Sequence, residues 1–419
     1  MKSVALSTMN IAPTEERVAL LDVLRGLALV GILVVNMEYY SQTVYDGWAQ
    51  PELRGWADLT ARWFVIAFFQ LKSYLLFALL FGYGIGMGLQ SGGQSDTAAV
   101  KASHLRRMLF LAVVGVVHAT LLFSGDILVT YAILGVISIA FWRASTAHLL
   151  TWSIAMFVVG IGVGISLIVL LPVDMASGID IGGIRDIYAQ GTALQVIVQR
   201  IADVAVAFPF IFVVQGPMVF VMLLLGIAMA RHGVLTAPDR HVHLLRCTTR
   251  WGLTLGLMGS AVAATLSIAS SDEDLATAAG FLLQLLSAPA VCLGVVTWVA
   301  MLQVKRRLGL LASIRAPGRM SLTIYLAESL VCALIFTSYG LGLFAQVGPA
   351  TCLAISAGVA GFLTLFSRCW FKRYRFGPLE WLLRSGTYWR WQPLRRQANK
   401  SVGIDSSCYK GDPHEDTRL

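Results

Sequence analysis

Residues 18–37 read VALLDVLRGLALVGILVVNM, a run of apolar residues in which Asp22 and Arg25 are the two charges. A helix of about 20 mainly apolar residues is long enough to cross a bilayer. Over 419 residues, 57% are apolar, 13% are charged and the mean hydropathy is +0.72, whereas soluble globular proteins are about 25% charged. The sequence therefore predicts an all-α, polytopic integral membrane helical bundle in contact with the lipid bilayer. It argues against a soluble globule and against nucleic-acid binding.

Apolar runs of this length recur along the chain and predict about ten transmembrane helices. The predicted spans are 18–37, 63–89, 108–123, 127–142, 148–171, 206–230, 251–270, 277–302, 320–339 and 349–371. The first run is expected to be retained as a span, because its internal charges and the lack of a small-residue cleavage site are unlike a signal peptide.

Basic residues are distributed unevenly between the alternate loops of this topology. If the N-terminus is cytoplasmic, 25 of the 32 lysines and arginines fall in cytoplasmic segments, and the outer segments hold only Arg54, Arg62, Arg185 and Arg200. Loops rich in lysine and arginine are retained on the cytoplasmic side. We therefore expect both termini to be cytoplasmic, with an even number of spans between them.

The predicted topology leaves no soluble domain. It gives a cytoplasmic N-terminal tail (1–17), an N-terminal transmembrane half (18–230), a C-terminal transmembrane domain (231–390) and a polar cytoplasmic tail (391–419). The six cysteines show no spacing typical of a metal or redox site, so no metal is expected. Any chemistry is therefore expected within the bundle or at its two mouths.

Two local patterns qualify this topology near the sixth span. Leu194 and Ile201 lie on one helical face with Arg200 and Asp203 opposite, which predicts an amphipathic helix on the outer interface. Gln215-Gly216-Pro217 predicts a kink in the span that follows, because proline removes a backbone donor.

Polar residues inside spans are costly in a bilayer and commonly face a bundle interior or a cavity. In the first span, Asp22, Arg25 and Asn36 lie close to one helical face and extend over about 16 Å. Arg25 is the candidate to meet an anionic ligand from the cytoplasm, because its planar guanidinium suits phosphates. Alternatively, Asp22 and Arg25 pair with each other at the cytoplasmic interface.

His118, in the outer half of the third span, is a candidate base or acyl carrier near neutral pH. The alternative is a structural role, since a lone buried histidine is commonly structural. Asp126 follows it at the outer turn, but the eight intervening steps amount to about 12 Å along a helix. We therefore expect no direct contact between the two unless the turn folds back.

Further polar residues lie in the second and ninth spans. Lys72 lies in the outer third of the second span, and Ser321, Tyr325 and Glu328 share a face of the ninth. Each also has a structural interpretation: Lys72 can extend to the outer surface, and Glu328 can hydrogen-bond across helices. The sequence has no Walker, HExxH, GxSxG or dinucleotide motif, which argues against ATP-driven transport and soluble-type hydrolase chemistry.

Several of these residues lie in stretches that resemble the YeiB-like family of bacterial inner-membrane proteins, whose C-terminal part is catalogued as a domain of unknown function. The stretches are RVALLDVLRGLALVGILVVN (17–36), FALLFGYG (77–84), GVVHATLLFSGDIL (115–128), GRMSLTIY (318–325), GPLEW (377–381) and Thr387-Tyr388. The resemblance extends over nearly the whole chain and implies a multi-pass protein of the bacterial inner membrane.

The opening helix is also similar to those of two transmembrane acyltransferase groups, acyltransferase family three and the heparan-α-glucosaminide N-acetyltransferases. That resemblance implies transfer of an acyl group from cytoplasmic acyl-CoA, a donor rather than a resident cofactor, to a hydroxyl or amine of an envelope or small-molecule acceptor outside. Family three has a histidine base where this sequence has Asn36, and asparagine takes no proton at neutral pH. His118, with Asp126 nearby in sequence, is therefore the replacement candidate.

Under this hypothesis the roles divide between the two sides of the membrane. Asp22, Arg25 and Arg107 belong to the site for the CoA phosphates, His118 is the base or acyl carrier, and Asn36 donates to the thioester oxygen. The competing hypothesis is a secondary transporter or exporter whose site comprises Lys72, Tyr325 and Glu328 beside the kinked sixth span. A third is a non-catalytic subunit in envelope assembly.

Overall fold

The computed structural model describes residues 14–45, 55–91, 97–170, 178–269 and 275–395. Within these ranges the fold is all-α and contains no β-strand. The α-helices are α1 (Thr14–Ser41), α2 (Trp56–Phe68), α3 (Lys72–Ser91), α4 (Thr97–Leu121), α5 (Leu128–Ile137), α6 (Thr146–Leu170), α7 (Ile181–Gln190), α8 (Ala193–Phe210), α9 (Gly216–Arg231), α10 (Val242–Ala269), α11 (Leu275–Val304), α12 (Arg315–Arg319), α13 (Ser321–Phe336), α14 (Pro349–Arg373) and α15 (Pro378–Tyr388).

Each predicted span coincides with one helix or with successive helices, and four of them are irregular. The second is broken between Phe68, where α2 ends, and Lys72, where α3 begins. In the described part of the chain, eight helices are long and apolar enough to cross a membrane, or nine if the bent pair Leu308–Arg319 and Ser321–Phe336, at 80°, is one span. The predicted fourth span corresponds to a shorter apolar helix, Leu128–Phe141. A π-helical turn at Ile211–Gln215 lies just before Pro217, at the position where the sequence predicts a kink.

Helix α1 lies between two apolar cores. Leu20 and Leu24, in its first half, are fully buried in a core shared with α3, α9 and α11. Leu33 and Met37, in its second half, are buried in a core shared with α4, α13 and α14. Polar side chains on this central helix therefore face other helices, which places them where a site can form.

Backbone contacts sort the loops into two ends of the bundle. At one end, the Ser338 amide donates to the Tyr188 carbonyl oxygen (2.8 Å) and the Ala345 amide to that of Ser41 (2.8 Å). The Arg200 guanidinium donates to the Leu121 carbonyl oxygen at the same end. The chain from Leu121 to Tyr188 thus leaves this end through the short α5 and the turn that follows it, and returns through α6.

Other turns between helices lie at the opposite end of the bundle. The Arg106 guanidinium donates to the Thr387 carbonyl oxygen (2.9 Å), and that of Arg231 donates to the Trp142 carbonyl oxygen (3.0 Å). Both ends of the described chain lie here. Thr387 is close to its C-terminal end, and the first half of α1 packs on α12, where a Cβ at Gly318 would overlap the Asp22 carbonyl oxygen. This alternation agrees with the predicted topology, and we call the two ends the predicted outer end and the predicted cytoplasmic end.

The amphipathic helix predicted near residue 200 exists as α8. Its polar face is buried against the other helices and its apolar face is exposed, whereas a helix on the membrane interface turns its polar face to water. Leu194 is 71% exposed and Ile201 is 51% exposed, whereas Arg200 and Asp203 are buried. The apolar face therefore points away from the protein, as expected for contact with lipid, and the polar face points into the bundle.

Candidate functional site

A chain of hydrogen bonds joins α1, α4 and α13 towards the predicted outer end. His118 bonds through Nδ1 to Asp126 Oδ1 at 2.7 Å and through Nε2 to Ser329 Oγ at 2.7 Å. The Tyr40 hydroxyl donates to the same Ser329 oxygen at 2.5 Å. His118 and Ser329 are completely buried, and Asp126 and Tyr40 nearly so. We call these four side chains the buried relay.

His118 and Asp126 are in contact because the helix ends between them and the turn folds back, which is the exception that the sequence prediction allowed for. α4 stops at Leu121, and the amides of Leu122 and Phe123 both donate to the His118 carbonyl oxygen at 2.9 Å. The chain reverses there, which brings the Asp126 carboxylate back beside the imidazole.

Two local features favour this reversal. Gly115 lies one turn before His118, and a Cβ at that position would lie 2.9 Å from Asp126 Oδ2. The same carboxylate oxygen accepts from the Val129 amide at 3.1 Å, at the start of α5. The Gly-x-x-His pattern and the turn that follows it therefore form one structural unit that holds the carboxylate against the histidine.

The hydrogen bonds specify which imidazole nitrogen is basic. An ionised Asp126 carboxylate only accepts hydrogen bonds, so the bond from His118 Nδ1 assigns the proton to Nδ1. Nε2 is then the acceptor. The single proton of the Ser329 hydroxyl has two acceptors within reach, Nε2 at 2.7 Å and the Tyr325 carbonyl oxygen at 3.1 Å, and the contact to Nε2 is the shorter one. The arrangement is that of a carboxylate, an imidazole and a hydroxyl in sequence, which is the order that activates a hydroxyl as a nucleophile.

Ser329 and Tyr40 did not figure in the sequence predictions, although a helical signal existed for both. Ser329 follows Tyr325 by four residues and so shares its face, and Tyr40 follows Asn36 by the same interval. Tyr325 lies beside the relay, with its ring centroid 4.9 Å from that of His118. The helical spacing does not show that these side chains meet across α1, α4 and α13.

A small open cavity of about 20 Å³, room for about one water molecule, adjoins the relay at the predicted outer end. Tyr40 and Phe123 line it, and their ring centroids are 4.2 Å apart. Its polar lining includes Arg200 and Asp203 of α8 and Tyr188 of α7. The Tyr188 hydroxyl donates to Asp203 Oδ2 at 2.5 Å, and burial together with this carboxylate raises the pKa of Tyr188 above its ordinary value.

The predicted cytoplasmic end holds the predicted phosphate-binding residues of α1. The Arg25 guanidinium donates to Asp22 Oδ1 at 3.4 Å, and its side chain is 32% exposed whereas that of Asp22 is buried. Arg315 and Arg319 lie near enough to act electrostatically on Asp22. Several guanidinium groups therefore surround one buried carboxylate at this end.

Glu380 of α15 fixes this end by capping α13. Its Oε1 accepts from the amides of Leu322 (2.7 Å) and Thr323 (3.1 Å), and its Oε2 accepts from the Thr323 hydroxyl (2.7 Å). Burial raises the pKa of Glu380 above the ordinary glutamate value, although these hydrogen bonds oppose the shift.

The remaining predicted residues lie apart from the relay. Asn36 is partly buried on α1, and neither hydrogen bond of the His118 ring goes to it. The Arg107 guanidinium lies over the Phe81 ring, 5.7 Å from its centroid. Arg107 is eleven residues before His118 on the continuous α4, so the two share a face about 16 Å apart.

The predicted transport residues do not form a single cluster. Lys72 begins α3 after a break at Leu71 and is buried, and its Nζ donates to the Ile66 carbonyl oxygen at 2.8 Å. Glu328 Oε2 is buried and has no hydrogen-bond partner among the described residues. No group of three or more potential metal ligands occurs in the described part of the chain.

Known proteins resemble this chain over most of its length. A family model described as "Protein of unknown function (DUF418)" matches residues 229–390. "Uncharacterized protein YxaH" of Bacillus subtilis (strain 168) is 31% identical over 423 residues, covering 94% of this chain and 99% of that protein. "Uncharacterized protein YeiB" of Escherichia coli (strain K12) is 29% identical over 398 residues, covering 89% and 96%.

Proposed function

The chain belongs to the YeiB-like family of membrane proteins, and we propose that it is a transmembrane acyltransferase. In this proposal an acyl group passes from cytoplasmic acyl-CoA to a hydroxyl or amine at the outer face of the bacterial inner membrane. The observation that carries it is His118, which is fully buried and bonded on one side to Asp126 and on the other to a hydroxyl. A buried imidazole held in this way is suited to removing a proton from an attacking hydroxyl.

The positions of the charged residues support a donor that enters from the predicted cytoplasmic end. Guanidinium groups bind phosphates by paired hydrogen bonds, and Arg25 donates only one described hydrogen bond, to Asp22. Arg107 lies about 16 Å along α4 from His118. A donor with its phosphates at these arginines can extend along the helices towards the relay.

The cavity at the predicted outer end supports an acceptor that enters from the other side. Its lining combines the aromatic rings of Tyr188 and Phe344, stacked with centroids 4.6 Å apart, with the polar groups of Arg200 and Asp203. Aromatic and polar side chains occur together in sites for polyhydroxylated acceptors. In this proposal the acceptor's hydroxyls exchange hydrogen bonds with Arg200 and Asp203, which bond to Leu121 and Tyr188 in this structure. Asn36, one turn before Tyr40, is the candidate donor to the thioester oxygen in this proposal.

The experiment that tests the function is release of CoA by membrane vesicles containing the protein. Acetyl-CoA, butyryl-CoA and palmitoyl-CoA are supplied in turn with a bacterial envelope extract as the acceptor source. His118→Ala should lower the rate of CoA release by about 100-fold or more, the usual contribution of a general base.

His104→Ala is the matched control, because His104 lies on the same helix and bonds only to the Gly135 carbonyl oxygen at 2.9 Å. Its rate should remain near that of the wild type. Undiminished CoA release by a folded His118→Ala protein would contradict the proposal.

A secondary transporter is the alternative. Glu328 Oε2, which has no hydrogen-bond partner within the described ranges, favours it, because a buried carboxylate can carry a coupling proton. In that case folded wild-type protein would release no CoA from any of the three donors. Proton-driven solute uptake would instead be lost in Glu328→Gln.

A further inference from the structure

We propose that Ser329 is the catalytic nucleophile and carries the acyl group as an ester between two half-reactions. This inference rests on the proposed function and names the residue on which the transferring group resides. The sequence predictions left that residue open between direct transfer and His118.

The geometry favours Ser329 over His118 as the carrier. The His118 Nδ1 bond to Asp126 leaves Nε2 as its basic atom, and that atom is 2.7 Å from Ser329 Oγ. A base placed against a hydroxyl makes the hydroxyl oxygen the attacking atom. The Tyr40 hydroxyl donates to the same oxygen at 2.5 Å, which stabilises the negative charge that develops there when the proton leaves.

The first half-reaction acylates the serine. The Ser329 Oγ–H proton passes to His118 Nε2 as Oγ bonds to the thioester carbonyl carbon. The carbon–sulfur bond then breaks, and the CoA sulfur leaves with the proton from Nε2 as a free thiol. Asp126 stabilises the positive imidazolium formed in between, so it is a positioning residue and exchanges no atom with the substrate.

The second half-reaction removes the acyl group. An acceptor O–H or N–H gives its proton to His118 Nε2 while its oxygen or nitrogen bonds to the ester carbonyl carbon. The bond from that carbon to Ser329 Oγ breaks, and Oγ takes the proton back from Nε2. The products are the acylated acceptor and the original serine, so no oxidant or further reactant is needed.

A covalent carrier suits the position of Ser329 between the two ends of the bundle. Ala333, one turn after Ser329 on α13, lines the cavity at the predicted outer end, and so does Tyr40, whose hydroxyl bonds to Ser329. With an ester at Ser329, donor and acceptor need not be bound together. The acyl group crosses with the serine fixed, and movement of the Tyr40 ring is sufficient to expose the ester to the cavity.

The test is covalent labelling of the full chain in vesicles. The probes are acetyl-CoA, butyryl-CoA and palmitoyl-CoA, each radiolabelled in the acyl group, supplied without acceptor and quenched in acid. Mass spectrometry of the labelled peptide should place the acyl mass on Ser329. Ser329→Ala should abolish the label and lower CoA release by about 100-fold or more.

Ser329→Cys distinguishes a nucleophile from a hydroxyl with a purely structural role. It should still take the label but hold it as a thioester, which neutral hydroxylamine cleaves faster than an oxygen ester. Ser356→Ala is the matched control: Ser356 is also fully buried in a span and bonds to the backbone oxygen four residues earlier, at 2.8 Å. Its labelling and turnover should equal those of the wild type, and all variants are compared by thermal midpoint to confirm folding.

The outcomes separate this inference from the function on which it rests. If wild-type protein releases CoA in a His118-dependent manner but the label lies on His118 or nowhere, the serine assignment is overturned and the acyltransferase stands. If folded wild-type protein releases no CoA and takes no label from any probe, both fail.

Discussion

Asp126 determines the chemistry of His118, since its carboxylate assigns the proton to Nδ1 and leaves Nε2 basic towards Ser329. In Asp126→Asn the new amide can donate to Nδ1, which moves the ring proton to Nε2 and removes the base. We expect CoA release to fall by about 100-fold to 10,000-fold with little change in acyl-CoA affinity. The measurement is the rate of CoA release together with equilibrium binding of the donor.

Asp180→Asn is the control for this substitution. Asp180 is an exposed N-cap of α7 that accepts from the Gly183 amide at 2.8 Å, so its replacement changes an aspartate without touching the relay. Wild-type turnover in Asp126→Asn would show that the carboxylate does not set the proton position.

Individual residues of the site were predictable in part. His118 and Asp126 are identifiable from the sequence because a titratable side chain in an apolar span is unusual. Their contact was not, because helical periodicity gives distance along a helix and cannot report the reversal at Leu122 and Phe123. Ser329 is 211 positions from His118, and a single serine in a span carries no signal of its own.

The positions of the helices along the chain were predicted better than the contacts that each helix makes. Apolar length located every span, but the pattern in α8 gave two faces without telling which one meets protein. Arg200 and Asp203 are buried because Leu121 and Tyr188 offer them hydrogen-bond partners, and a lone sequence contains no record of those partners. The exposed apolar face of α8 then contacts lipid, and this contact carries no free-energy penalty because lipid tails are as apolar as the side chains.

One element contact holds the predicted cytoplasmic end together. α12 packs so closely on α1 that a Cβ at Gly318 would overlap the backbone oxygen of Asp22. Gly318→Ala should therefore force the two helices apart, lowering the free energy of unfolding by about 1–3 kcal/mol and displacing Arg25. The thermal midpoint and the affinity for acyl-CoA should both fall.

Gly309→Ala is the matched control in the turn just before α12, because a Cβ there would have no heavy atom within 4 Å. Its thermal midpoint and donor affinity should stay at the wild-type values. Equal effects of the two substitutions would show that the close approach of α12 to α1 does not matter.

For the whole molecule, the two ends must face opposite compartments if donor and acceptor are to arrive from different sides. Asp180 and Asp239 are exposed at opposite ends of the span that includes α8 and α9, and the distribution of basic residues predicts that only Asp180 is outside. A membrane-impermeant thiol reagent should label Asp180→Cys in intact cells, where the exposed Cys247 and Cys369 give no background because the predicted topology places both at the cytoplasmic end. Asp239→Cys should react only in inverted vesicles. The opposite pattern would place Arg25 outside, away from cytoplasmic CoA, and the direction of transfer proposed here would be wrong.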